Sequence, residues 1–197
     1  MSTQPRSYFG VSSFETTDGG VTFDDVEPAG GPADKAGLVG GDIITTFDGH
    51  PIHSDDEMMG RLTETPVDKT VEVVFIRDGE TKTTKLTTVS KSEFDHLVAA
   101  FRRRPEGQGQ LGINDQDKVE VPGTKLYGVK ITVDPRMGAA LAGLQNGDIV
   151  IEFDKVPIRT EEEFTSRIHR GVPYSTIQVV VMRGDERLEI PVKIARR

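Results

Sequence analysis

Apolar positions along the chain switch between two periods. Val21 to Val26 and Val71 to Arg77 alternate toward one buried face, which predicts strands. Tyr8 to Phe14 (YFGVSSF) reads as a glycine-broken entry into a strand, and Asp42 to Phe47 as a central strand. Asp48-Gly49 and Asp78-Gly79 supply turns, and Thr81 to Val89 returns as a Thr-rich hairpin partner. Helical spacing takes over in three places. Ala33 to Ala36 allows one turn. Ser54, with Glu57 three residues on, caps a helix to about Thr63 that carries Met58, Met59 and Leu62. Ser92 to Arg103 sets Phe94, Leu97, Val98 and Phe101 at i, i+3, i+4 and i+7, with Ser92 as its expected cap. Such a stripe must be covered, so this helix is expected on the first domain or in the seam between two domains. Pro105 to Gly109 then reads as flexible.

The whole order comes back. Ala36 to Ile44 (AGLVGGDII) returns as Ala142 to Val150 (AGLQNGDIV), an offset of 106 residues that also relates Phe47-Asp48 to Phe153-Asp154 and Arg77 to Arg183. A period this long means a complete domain used twice. Gly37 and Gly143 stand where a helix end takes a left-handed residue, and Asp42 and Asp148 follow in tight turns. In the second copy Gly109 to Asn114 opens the fold, with extra residues around Asp117 to Lys125. Tyr127 to Val133 is its next strand, Glu161 to Arg170 its long helix, and Ile177 to Arg183 with Glu186 to Ile194 its closing hairpin. The expected division is 7–90, a linker helix and hinge over 91–108, and 109–197.

Composition narrows the chemistry. A formal charge of −8 disfavours phosphate backbones, so no nucleic-acid partner is expected. The basic run Arg102-Arg103-Arg104 is read as favouring the C-terminal dipole of its own helix. The chain has no cysteine, which removes disulfides and thiol catalysis. No apolar run is long enough to span a membrane, and Met1 to Ser7 is too short and polar for a signal peptide.

Catalytic and metal motifs are missing. Phe14 stands where G-x-S-x-G needs its second glycine, and His50 and His53 do not make H-E-x-x-H. His96 and His169 lie on helices with no evident partner. No metal site, cofactor or enzyme activity is expected. Arg183-Gly184-Asp185 repeats the turn Arg77-Asp78-Gly79 and is read as turn chemistry.

The order of elements, with F-G-V or L-G-I near the start and A-G-L-x-x-G-D-I-I in the middle, resembles PDZ domains. The nearer likeness is to the circularly permuted bacterial kind of HtrA/DegP-type serine proteases and some membrane-associated metalloproteases. The resemblance implies an α+β fold: two PDZ-like, partly open β-sandwich or barrel domains, each capped by a short and a longer helix and joined by an amphipathic linker helix. Only seven residues precede Tyr8, so the last strand of each closing hairpin is expected to take the edge that an opening strand would fill.

By the family's pattern, peptide C-termini or extended segments add as a strand, and a nest of backbone N–H groups takes the carboxylate. The resemblance assigns the carboxylate loops to Phe9, Gly10 and Val11 and to Leu111, Gly112 and Ile113. It assigns the groove helices' facing positions to Asp55, Met59 and Leu62 and to Glu161, Thr165 and Ile168. Met58 and Phe164 are read as core. Implied partners are protein C-termini with an apolar last residue, in a periplasmic or otherwise extracytoplasmic setting, with micromolar affinity (about −8 kcal/mol). Two rival readings are the regulatory, substrate-binding part of a protease whose catalytic domain lies outside this chain, and a purely structural pair of domains.

Overall fold

A computed structural model describes residues 7–197, so Met1 to Arg6, and with them most of the Met1–Ser7 reading, lie outside the described residues. The chain separates into two compact units, one ending at Arg102 and one spanning Arg103–Arg197.

The first unit runs β1 (Glu15–Thr17), β2 (Gly20–Thr22), α1 (Pro32–Lys35), β3 (Ile43–Phe47), β4 (His50–Pro51), α2 (Asp55–Glu64), β5 (Thr70–Arg77), β6 (Glu80–Thr87) and α3 (Lys91–Arg102). Its open antiparallel sheet has the order β1-β2-β3-β5-β6, with β4 added beside β3. The core lies between sheet and helices, where Phe23, Ile44, Phe47 and Met58 are fully buried.

The second unit runs β7 (Gly109–Gln110), β8 (Ile113–Glu120), β9 (Tyr127–Val133), α4 (Gly138–Leu141), β10 (Ile149–Phe153), β11 (Val156–Pro157), α5 (Glu161–Arg170), β12 (Thr176–Arg183), β13 (Glu186–Lys193) and β14 (Ala195–Arg196). Its sheet order is β13-β12-β10-β9-β8, with β11 beside β10 and a separate β14-β7 pair. Val150, Ile158 and Phe164 fill the equivalent core. Even the irregularities repeat: the β3–β5 register shifts between Ile44 and Thr46, and the β10–β12 register between Val150 and Glu152. Both units are open-sheet α+β folds.

The Gly-Asp motif that betrays the repeat has a structural cause. Arg77 grips Asp42 with Nε at 2.7 Å and Nη2 at 2.6 Å, and Nη2 also donates to the Gly37 carbonyl at 2.9 Å. Asp42 Oδ2 accepts from the Val39 N–H at 2.9 Å. Arg183 grips Asp148 in the same way, with both contacts at 2.8 Å and Gly143 O at 2.9 Å. The turn, the left-handed glycine and the end of the hairpin strand are thus tied in one fork-shaped ion pair. The Arg183-Gly184-Asp185 arginine is committed to this tie.

Several boundaries differ from expectation. The opening segment through Phe14 makes only isolated bridges, Tyr8 to Val89 and Val11 to Val26, because Gly10 at φ +93° interrupts any regular ladder. The extra residues of the second unit lengthen β8, which pairs with β9 as far as Glu120 opposite Tyr127. The closing strands β6 and β13 pair with β5 and β12; only the residues beyond them, Val89 and Ala195-Arg196, meet the opening segments. Ser90 caps α3, accepting from the Glu93 N–H at 3.2 Å, where Ser92 was expected to. Arg104 does not serve α3: its guanidinium donates to the carbonyls of His169 at 2.9 Å and Arg170 at 2.6 Å, at the end of α5. After Arg104 the chain makes a turn closed by the Gly107 N–H to Arg104 O bond at 3.1 Å, and β7 follows at Gly109.

Candidate functional site

Each unit presents a groove between an unpaired sheet margin and its long helix. The helices start alike: Ser54 Oγ accepts from the Glu57 N–H and Thr160 Oγ1 from the Glu163 N–H, both at 3.2 Å. Met58 and Phe164 point into the cores, at 0% exposure. That leaves Asp55 and Met59, or Glu161 and Thr165, along the exposed flank. Leu62 at 3% and Ile168 at 6% belong to the cores and form the groove floors as well.

The loop geometry follows from peptide planarity. Across a trans peptide, the carbonyl of one residue and the N–H of the next point in opposite directions. The Phe9 carbonyl accepts from the Ala33 N–H at 3.0 Å and the Gly10 carbonyl from the Glu27 N–H at 3.0 Å, both inside the fold. The N–H groups of Gly10 and Val11 therefore point outward, toward the groove. In the second unit the Leu111 carbonyl accepts from Ala139 and the Gly112 carbonyl from Asp134, at 2.9 and 2.8 Å, so Gly112 and Ile113 present theirs. Gly10 and Gly112 lie at φ +93° and +83°, a region that side chains disfavour. Along the margin, Ser12 donates to the Asp25 carbonyl, so by alternation the backbone groups of Val11 and Ser13 face α2.

The two grooves differ in lining. In the first, a cavity of about 410 Å³ runs beside the loop, walled by Tyr8, Phe14, Met59, Leu62 and Phe94. In the second, the cavity is about 220 Å³ and its walls include Gln110, Gln116, Thr165, His169 and Arg197. Gln116 Nε2 donates to Thr165 Oγ1 across the groove at 3.1 Å. The far ends are clasped in both. Thr16 Oγ1 donates to Asp55 Oδ1 at 2.6 Å, which holds the Asp55 carboxyl below its ordinary pKa; the Lys118 N–H donates to Glu161 Oε1 at 2.7 Å.

All twelve positions assigned from the resemblance thus border one of the two grooves or its end. Groove residues that went unassigned in the sequence include Tyr8, Phe14 and Phe94 in the first domain and Gln110, Gln116, His169 and Arg197 in the second. His169, thought to lack a partner, has Nε2 3.3 Å from Arg197 Nη1, and burial followed by that cation lowers its pKa. Its sequence signal was its place four residues after Thr165, one turn along the same flank of α5.

Comparison with known proteins meets this geometry. A family model for the PDZ domain matches residues 7–88 and again 109–194. The chain belongs to the PDZ domain family. PDZ domains are non-catalytic modules. A DegP-like periplasmic serine endoprotease of Rhizobium meliloti is 26% identical over 177 residues, covering 85% of this chain and 35% of that protein. A periplasmic serine protease of the do/HhoA-like kind from Haemophilus influenzae is 29% identical over 154 residues, covering 78% and 31%. The periplasmic pH-dependent serine endoprotease DegQ of Escherichia coli is 28% identical over 172 residues, covering 85% and 35%. The chain therefore spans about a third of the length of these relatives. Among the described residues, no helix is long and apolar enough to cross a membrane, and no cluster of His, Asp and Glu could hold a metal ion.

Proposed function

We propose that this tandem PDZ chain binds protein C-termini, or extended segments, by strand addition in each groove. A bound segment lies between Val11–Phe14 and α2 in the first domain, and between Ile113–Gln116 and α5 in the second. Its carboxylate meets the amides of Gly10 and Val11, or of Gly112 and Ile113. Apolar last residues rest on Leu62 or Ile168. The observation that carries this reading is the inward use of four loop carbonyls, which turns the following N–H groups toward the groove in both domains.

The modules 7–90 and 109–197 each bind as a unit in this reading, with 91–108 between them. By likeness to relatives named as periplasmic serine proteases, the module serves as the peptide-recognising, non-catalytic part of an HtrA-like protein in an extracytoplasmic compartment. Both grooves stay clear of nucleic acid and of the bilayer interior.

A fluorescent pool of C-terminally randomised peptides, titrated against the chain and retested with amidated ends, checks the core of the proposal. Amidation should weaken binding about tenfold or more, since it removes the charge from a hydrogen-bonded carboxylate. Equal affinity of acid and amide at both domains would overturn carboxylate recognition.

A further inference from the structure

The segment that follows the family-matched residues of the first domain does not leave the groove. Tyr8 and Val89 exchange hydrogen bonds, N–H to O at 2.9 Å in one direction and 3.4 Å in the other. Ser90 then starts α3 at once, accepting from the Phe94 N–H through its carbonyl at 3.0 Å. This fixes the first turn of α3 beside the carboxylate loop. The Phe94 ring lies 4.9 Å from the Tyr8 ring, tilted by 32°, and both border the groove cavity. In the second domain the chain after the equivalent bridge stays extended as β14, and Arg197 stands at the cavity in place of an aromatic ring.

Resting on the strand-addition reading above, we propose that Phe94 of α3 is a specificity-determining residue of the first groove. With Tyr8 it walls the end of the groove and selects chains whose last side chain is large and apolar, of the size of leucine or phenylalanine. Charge fits this occupant. Among the described residues Asp55 is the one charged side chain bordering that cavity, and it lies on the first turn of α2, at the end away from the loop amides. A terminal carboxylate therefore meets no anion where it would dock. An apolar last side chain meets Leu62, Tyr8 and Phe94. The second groove, smaller and ending in His169 and Arg197, lacks this selection.

The test uses the full chain, isotopically labelled, with the Gly10 and Gly112 amide resonances reporting the two grooves separately. Two peptides differing only in a final Leu or Ala are titrated. The native chain should favour the Leu peptide at Gly10, and Phe94→Ala should cut that preference about tenfold, equivalent to about 1.4 kcal/mol. Phe94→Leu, which keeps an apolar contact with Tyr8, should retain most of it. Leu97→Ala, one turn along α3 and outside the cavity, should leave the preference intact. An unchanged Leu-to-Ala preference in Phe94→Ala would overturn the assignment while leaving strand addition standing. So would equal losses for both peptides in Phe94→Ala and Leu97→Ala. No shift at Gly10 with any free-acid peptide in the native chain would instead overturn strand addition there.

Discussion

The two grooves are built on one backbone plan and lined to opposite ends. Phe14 and Met59 both line the first; the equivalent Gln116 and Thr165 are joined by a hydrogen bond across the second. A ligand entering the first groove displaces water from apolar walls, which is favourable in proportion to the area covered. One entering the second must first replace a polar contact already made, so its net gain per contact is smaller. On the proposed reading the duplicated scaffold holds the amide nest constant while the walls set the selectivity. Far from the walls the copies scarcely diverge, as the paired ties Asp42–Arg77 and Asp148–Arg183 show.

The largest losses in either copy should come from breaking those ties. Arg77→Ala strands a fully buried carboxylate and should cost the first domain about 3–5 kcal/mol. Arg183→Ala should cost the second less, since the Arg183 side chain is 32% exposed against 13% for Arg77 and water can reach the space it leaves. Urea unfolding of each variant, read by domain-specific resonances, gives both numbers. Next in size are the loop glycines. A Cβ at Gly112 would sit 2.3 Å from Met137 Cβ, whereas at Gly10 the nearest atoms are 3.2 Å away. Gly112→Ala should therefore destabilise the second domain by about 2–4 kcal/mol, from positive-φ strain plus overpacking. Gly10→Ala should cost only about 1–2 kcal/mol, with loss of first-groove binding as the larger change.

Exchanging the walls probes the comparison itself. The double variant Phe14→Gln, Met59→Thr should weaken first-groove binding of an apolar-ended peptide about tenfold (~1.4 kcal/mol), and should also lower the melting temperature of the first domain, because Phe14 packs on Phe9 and Phe23. Unaltered affinity would show that these walls do not set selectivity. The smallest effect is one of pH. His169 has its folded pKa lowered by burial and by Arg197, so below its ordinary value near 6.5 the unfolded chain binds the proton more readily. Second-domain stability should be fully present above about pH 6.5 and decline as pH falls toward the lowered folded value. His169→Gln should flatten that slope, and the first domain, with Thr63 at the equivalent position, should lack a contribution of this kind.

Local patterns carried most of the elements. The Ser54 cap, the Met58 and Phe164 core positions and the loop glycines each declare themselves within one helical turn or one strand. What stayed hidden depends on residues far apart in sequence. Nothing local marks Asp42 as the partner of Arg77, 35 residues on, and Asp42 was read as a turn residue. Arg104 sits at the end of one helix and caps another some 65 residues away, so its local setting pointed to the wrong dipole. Phe94 belongs to a stripe that any amphipathic helix would show, and periodicity cannot tell a ring covering a core from one bordering a cavity. Ser90 and Ser92 are both plausible caps by residue type, and the hydrogen bond to Glu93 separates them.

The grip of Arg104 on the end of α5 has a practical corollary for cutting this protein into pieces. A fragment beginning at Gly109, where the homology starts, discards the cation that satisfies the last carbonyls of the helix bordering the second groove. Such a truncation should fray that helix at His169 and blunt recognition by a domain whose every aligned residue is intact. Beginning five residues earlier keeps the guanidinium and, with it, the shape of the binding cleft.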